Sequence, residues 1–233
     1  MVVVARMLGT VRRKIARPLL HRLRRPIVLR RIARASEVRL LGHRLRTDPD
    51  VFHPTCFSSS RLLAEHLVER PLRGRRVLDM GTGAGPIAIA VAAAGAHVTA
   101  CDINPRAVSL ARENAAINGM SHEVVESDLF SALPDRRFDI ICFNIPFYAR
   151  DPVGYFETAF FAGRSLETVR RFASGCAAHL IPDGRVVVIF SEDCDSEAIV
   201  RFFTGTGFCL ESKHLTRSLL EHFQIAWFRR PGA

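Results

Sequence analysis

Apolar residues recur at Leu8, Val11, Ile15, Leu19 and Leu23, with arginines filling most of the positions between them. A spacing of three to four predicts a helix with one apolar stripe, kinked or divided at Pro18 and Pro26. A second short helix over residues 27–35 and an extended piece over 40–46 follow, and Asp48-Pro49-Asp50 signals a turn. After Val51 the pattern changes. Short apolar runs at residues 76–80, 97–101, 124–127, 138–143 and 185–190 predict strands. Helical patterns separate most of them, at 86–94, 104–118 and 164–180. Another helix, through Leu62, Leu63, His66 and Leu67, precedes the first strand, with Ser58-Ser59-Ser60 placed to cap it. Gly95 and Gly119 stand where helices end in a left-handed residue, Pro105 sits at a tolerated early position, and Pro182-Asp183-Gly184 reads as a turn. A helix over 197–204 leads to two closing strands, 208–213 and 223–229, with no full helix between them, which predicts antiparallel pairing.

This alternation predicts an α/β fold. The expected form is a Rossmann-like, doubly wound, mostly parallel seven-stranded sheet with an antiparallel last strand, its ligand at the carboxyl ends of the strands. A basic helical arm precedes it. The expected division is an N-terminal extension over residues 1–50 and a catalytic domain over 51–233.

Composition sharpens this picture. The chain has 233 residues and is 48% hydrophobic, enough for a full core. No apolar run reaches the roughly 18–20 residues of a membrane span. The six cysteines are scattered without a CxxC pair, so neither a metal site nor a disulfide framework is indicated, and a cytoplasmic location is the simplest expectation. The formal charge of +10 is unevenly placed: residues 1–46 hold fourteen Lys or Arg and one acid, Glu37, leaving the body slightly acidic. Contacts with RNA phosphates or with an anionic membrane surface, or a role as a transit peptide, are therefore expectations about the arm. Packing of its apolar stripe on the body is the alternative.

Three constellations carry chemistry. Val77-Leu78-Asp79-Met80 runs into Gly81-Thr82-Gly83-Ala84-Gly85, a strand, a tight turn and a helix start, where glycines expose bare backbone to a ligand. An acid two residues before alternating glycines would repel a pyrophosphate, but suits a ligand with a positive amino group, such as S-adenosylmethionine. Asp102, with Ile103 beside it, ends the next strand at about the spacing of a ribose-binding acid. Asp128 and Leu129 follow the third strand, placed to accept from an adenine amino group and to pack on its ring. Asn144-Ile145-Pro146-Phe147 closes the fourth strand, where the Asn144 oxygen and the Ile145 carbonyl could hold the N–H groups of a planar nitrogen while Phe147 stacks on it. A poorly nucleophilic amide or amine nitrogen gains most from such positioning. The cluster Phe147, Tyr148, Tyr155, Phe156, Phe160 and Phe161 fits a lid or core packing equally well.

At these residues the chain resembles class I S-adenosylmethionine-dependent methyltransferases. Within them it resembles the branch of release-factor glutamine and small-domain N-methyltransferases, whose fourth strand ends in Asn-Pro-Pro-Tyr or a close variant. Here Ile145 replaces the first proline of that motif. The resemblance covers roughly residues 51–229. Val51-Phe52-His53-Pro54-Thr55 is similar to the branch's element lining the methionine end, which implies a cofactor role for Thr55. It implies an N-methyltransferase whose acceptor is a protein glutamine amide or a nucleobase amine, with no metal. A small-molecule methyltransferase of a biosynthetic pathway and a non-catalytic cofactor-binding RNA or membrane adaptor stand as alternatives. A nicotinamide oxidoreductase is disfavoured by Asp79 and the alternating glycines.

Overall fold

The computed structural model describes residues 30, 32–34, 36–218 and 221–232. The stripe expected over residues 8–23 and most of the helix expected over 27–35 lie outside them. The described chain opens on a hairpin, β1 (Glu37–Leu40) and β2 (His43–Arg46), so the extended reading of residues 40–46 holds for 43–46 but is broken at Leu41 and Gly42, whose positive φ makes the hairpin turn. The hairpin is tied to the body by two asparagines one helical turn apart. Asn114 accepts from Arg46 N (2.7 Å) and donates to Arg46 O (3.1 Å), while Asn118 accepts from Arg44 N (3.1 Å) and donates to Arg44 O (2.7 Å). These amides pair with β2 as a neighbouring strand would. Leu40 and Leu45 pack on Ile89 beneath them.

The body alternates α1 (Ser59–Val68), β3 (Arg76–Met80), α2 (Pro86–Ala93), β4 (His97–Asp102), α3 (Pro105–Ile117), β5 (Glu123–Glu126) and β6 (Phe138–Asn144). It continues with α4 (Gly154–Thr158), α5 (Glu167–Cys176), β7 (Leu180–Ser191), α6 (Ser196–Gly205), β8 (Cys209–Arg217) and β9 (His222–Arg229). The seven strands from β3 to β9 lie in the order β5-β4-β3-β6-β7-β9-β8. β5 to β7 run parallel, and β9 is antiparallel to both its neighbours. This is the fold class expected from the alternation. The order reverses between β4-β3 and β6, the position where an open α/β sheet forms a ligand crevice.

Alternate residues of each strand enter opposite layers, as the two-residue repeat requires. In β7, Val186, Val188 and Phe190 face the layer of α5 and α6, while Val187 and Ile189 face that of α1, α2 and α3. Pro105 opens α3 after Asn104, whose side chain caps it by accepting from Arg106 N (3.0 Å). Three local expectations need correction. Ser58 precedes α1, but its side chain makes no capping bond; only its carbonyl accepts, from Leu62 N. α5 is shorter than the 164–180 pattern, because Leu166 adopts a left-handed φ of 56° before it. Pro182-Asp183-Gly184 does not interrupt the chain as a turn: it lies within β7, where the register against β6 shifts between Phe138 and Ile140. No helix among the described residues is long and apolar enough to cross a membrane.

Candidate functional site

The turn after β3 is built on positive φ at Gly81 (65°), Gly83 (56°) and Gly85 (84°). A Cβ on Gly81 would lie 2.6 Å from the Phe143 ring, so only glycine fits there without displacing that side chain. Gly85 caps α2, and a Cβ on it would touch Ala111 of α3 at 3.4 Å, which makes it a packing glycine. Asp79 is fully buried. Its Oδ2 accepts from Thr82 Oγ1 (2.7 Å) and from Ala88 N (3.1 Å), and Cys142 Sγ approaches Oδ1 at 3.8 Å. Burial pushes its carboxyl up to about 7 against these stabilising bonds.

Asp102 closes β4. Its Oδ2 accepts from Gly83 N (2.8 Å) and its Oδ1 from Asn104 N (2.9 Å), which fixes the carboxylate across the glycine turn and leaves acceptor capacity on both oxygens. Burial raises its pKa. Leu129 holds a left-handed φ of 52°, uncommon for a leucine, with its carbonyl accepting from Ser127 Oγ (2.7 Å). Arg171 of α5 reaches across to Asp128 (2.8 Å). At the tip of β6, Asn144 Nδ2 donates to Ser60 Oγ (3.0 Å). Above it, Phe52, Phe57 and Phe160 form a ring cluster with centroids 4.7–5.3 Å apart, and Phe156 adds to Phe160 at 5.5 Å.

These elements surround one cavity of about 170 Å³ at the carboxyl ends of β3, β4, β5 and β6. Of the residues expected from the sequence, Gly81, Thr82, Gly83, Asp102, Ile103, Asp128, Leu129, Asn144 and Pro146 line it together. Five do not. Asp79 faces the interior, where its carboxylate meets Thr82 of the turn and Ala88 of α2. Thr55 is turned toward His53 Nδ1 (3.3 Å) from its backbone N, and Val51 and Phe52 line the wall in its place. Gly85 packs on α3. The Ile145 side chain is 1% exposed in the core. Phe147 packs against both apolar layers and meets Tyr148 edge-on at 4.7 Å, so its ring lies off the cavity wall. The sequence reading missed Phe143, next to Asn144 on β6, and Ser60, Thr168 and Arg171, which line the wall from elements distant in sequence. Tyr155 and Phe156 of α4 also line it, so part of the aromatic cluster is wall while Phe160 braces it from behind.

The family model described as "Methyltransferase small domain" matches residues 42–213. The chain belongs to that family. A Methanocaldococcus jannaschii protein provisionally described as a protein N5-glutamine methyltransferase is 32% identical over 198 residues, covering 82% of this chain and 98% of the relative. A release factor glutamine methyltransferase of Deinococcus radiodurans is 37% identical over 136 residues, covering 52% of this chain and 46% of that one, so the chain spans about half its length. Among solved structures, the Thermus thermophilus 16S rRNA N2 G1207 methyltransferase, in complex with AdoMet and guanosine, has a TM-score of 0.66 at 24% identity over 84% of this chain and half of its own. That likeness shows the fold. The cavity suits S-adenosylmethionine as a donor: a carboxylate fixed across bare glycine backbone, apolar walls from Met80, Leu129 and Phe143, and a polar amide at the far strand tip.

Proposed function

We propose that the cavity methylates the side-chain amide nitrogen of a glutamine in a protein, with Asn144 at the transfer centre. The observation that carries this reading is the placement of Asn144 and Pro146 on the same wall as Gly81, Gly83 and Asp102. In it, Asp102 would hold the ribose and Ile103, Asp128 and Leu129 the adenine. Thr82 and the backbone of the glycine turn would line the rest of the donor. S-adenosylmethionine, when bound, supplies a methyl group on a positive sulfur.

The work left to the protein is positioning. Asn144 Oδ1 accepts an N–H bond of the amide and helps turn its lone pair out of conjugation. It also matches the positive charge that grows on nitrogen as it is methylated, and the surplus N–H proton of the methylated amide passes to water. The walls from Phe52, Tyr155 and Phe156 exclude water and strengthen those contacts.

A protein acceptor fits the surroundings of the cavity. Arg150 pairs with Glu157, Arg164 with Asp151, Arg171 with Asp128, and Arg106 with Asp48 and Asp50. These guanidinium groups are balanced locally, and beside them Tyr148, Val153 and Tyr155 are exposed. That surface suits an uncharged loop better than a phosphate backbone. The names of the Methanocaldococcus and Deinococcus relatives favour the same acceptor.

The test is Asn144→Ala assayed with labelled S-adenosylmethionine and a release factor. Transfer should fall by roughly 100-fold or more, as for loss of an aligned charge-stabilising group, while donor affinity stays within about threefold. Turnover that survives the substitution contradicts the assignment.

A further inference from the structure

Arg171 belongs to none of the motifs, yet it lines the cavity from α5 together with Asp128. α5 turns Val169, Phe172, Ala173 and Cys176 into the apolar layer, while Thr168 and Arg171, one turn apart, reach the cavity from its flank.

The loop after β5 is docked on the same helix. Phe130 stacks on Phe172, with ring centroids 5.7 Å apart and planes at 6°. Its ring also lies against Gly175, where a Cβ would come within 2.5 Å of it, so the missing side chain makes room for the ring. Inside the loop, Ser127 Oγ donates to Leu129 O (2.7 Å) and accepts from Ala132 N (3.0 Å). The backbone that carries Asp128 is therefore fixed relative to α5.

That packing does not fix the Asp128 side chain. It is 44% exposed, so its carboxylate has water to turn into. What holds it at the wall is Arg171, whose Nη2 donates to Oδ2 at 2.8 Å. Among the described residues Oδ1 takes no hydrogen bond. A guanidinium only donates, so it occupies one carboxylate oxygen and leaves the other to accept from a ligand.

We propose that Arg171 is a positioning residue for the donor: it pins the Asp128 carboxylate at the cavity wall so that Oδ1 accepts from the exocyclic amino group of adenine. This rests on the reading that seats adenine at Asp128 and Leu129. A base with no N–H there, such as N6,N6-dimethyladenine, then meets an acceptor held in place against it.

The experiment compares the full chain with Arg171→Met, Arg171→Lys and Asp128→Ala, using S-adenosylhomocysteine and its N6,N6-dimethyl analogue as calorimetric probes. Methionine keeps much of the length without the charge. Lysine can make the same single contact to Oδ2, which needs no planar fork. Wild type should bind the dimethyl probe at least about tenfold more weakly than the parent, the scale of a lost hydrogen bond to a charged group. Arg171→Met should bind the parent about three- to fivefold more weakly, the scale of a half-exposed ion pair, and its discrimination against the dimethyl probe should shrink by at least about threefold. Arg171→Lys should match wild type in both, and the urea midpoint of each Arg171 variant should be unchanged.

Unchanged discrimination in Arg171→Met would make Arg171 a filler of the wall, and equal losses in Arg171→Lys and Arg171→Met would make the charge irrelevant; either overturns the proposal. So does a urea midpoint that falls with donor affinity, which would make the pair a contact of the fold alone. If Asp128→Ala leaves parent affinity unchanged, adenine lies elsewhere and the donor reading itself fails. A loss in Asp128→Ala with none in Arg171→Met sinks the proposal alone.

Discussion

Asp79→Asn separates a ligand-binding carboxylate from one that holds the turn. The amide oxygen of asparagine can take the place of Oδ2, accepting from Thr82 Oγ1 and Ala88 N, while its NH2 faces the Cys142 sulfur. What the substitution removes is a titrating group. Burial pushes the native carboxyl up to about 7, well above the ordinary range of an aspartate. A group raised in the folded state contributes stability that is complete at low pH and is lost as pH climbs toward the folded value. The unfolded chain releases its proton near pH 4 and the native protein only near pH 7, so native stability falls between those limits. Over that interval the loss from this one group is on the order of 4 kcal/mol.

The Asn variant lacks that slope. Relative to wild type it should gain stability as pH rises from 4 to 7, and the gain should level off above. Urea unfolding at pH 4.5, 6 and 8 measures the difference. Calorimetry should find S-adenosylmethionine affinity within about threefold of wild type, because no ionic contact is lost. Asp79→Ala, by contrast, orphans two buried donors and should destabilise the fold by roughly 1–3 kcal/mol for each. A tenfold or larger loss of donor affinity in Asp79→Asn, with no pH-dependent gain in stability, would refute the structural role.

Gly81→Ala should reduce donor binding at least tenfold in calorimetry, since its methyl group would strike the Phe143 ring on the cavity wall and positive φ would strain alanine; affinity within about twofold of wild type would refute this. Asn114→Ala should cost roughly 2–3 kcal/mol in urea unfolding, because Arg46 N and O and the Ala84 carbonyl lose their partner together; a change under about 0.5 kcal/mol would show the hairpin held by Asn118, Leu40 and Leu45 without it.

The alternation of short apolar runs with helical patterns was enough to read the sheet, since its central strands β3, β6 and β7 bury both faces. The glycine turn, Asp102 and Asn144 were legible for a related reason: each is a strand end, placed by chain order alone. Less legible was what a residue faces. The carboxylate of Asp79 and the ring of Phe147 stand in the motifs, yet one is bonded to Thr82 and Ala88 and the other is packed between two apolar layers. No local pattern marks Ser60 or Arg171, which arrive at the wall from α1 and α5 by long-range packing. The asparagine pair that holds the hairpin reads in sequence as two ordinary helix-end residues. Short α4, with five residues and none buried, carries no periodicity to detect.

The most direct measurement is a crystal structure of the chain with S-adenosylhomocysteine. The ribose hydroxyls should lie on Asp102, the adenine between Ile103 and Leu129, and the sulfur should face Asn144. A ligand seated elsewhere, or one whose amino group is bonded to Asp79, would contradict that arrangement.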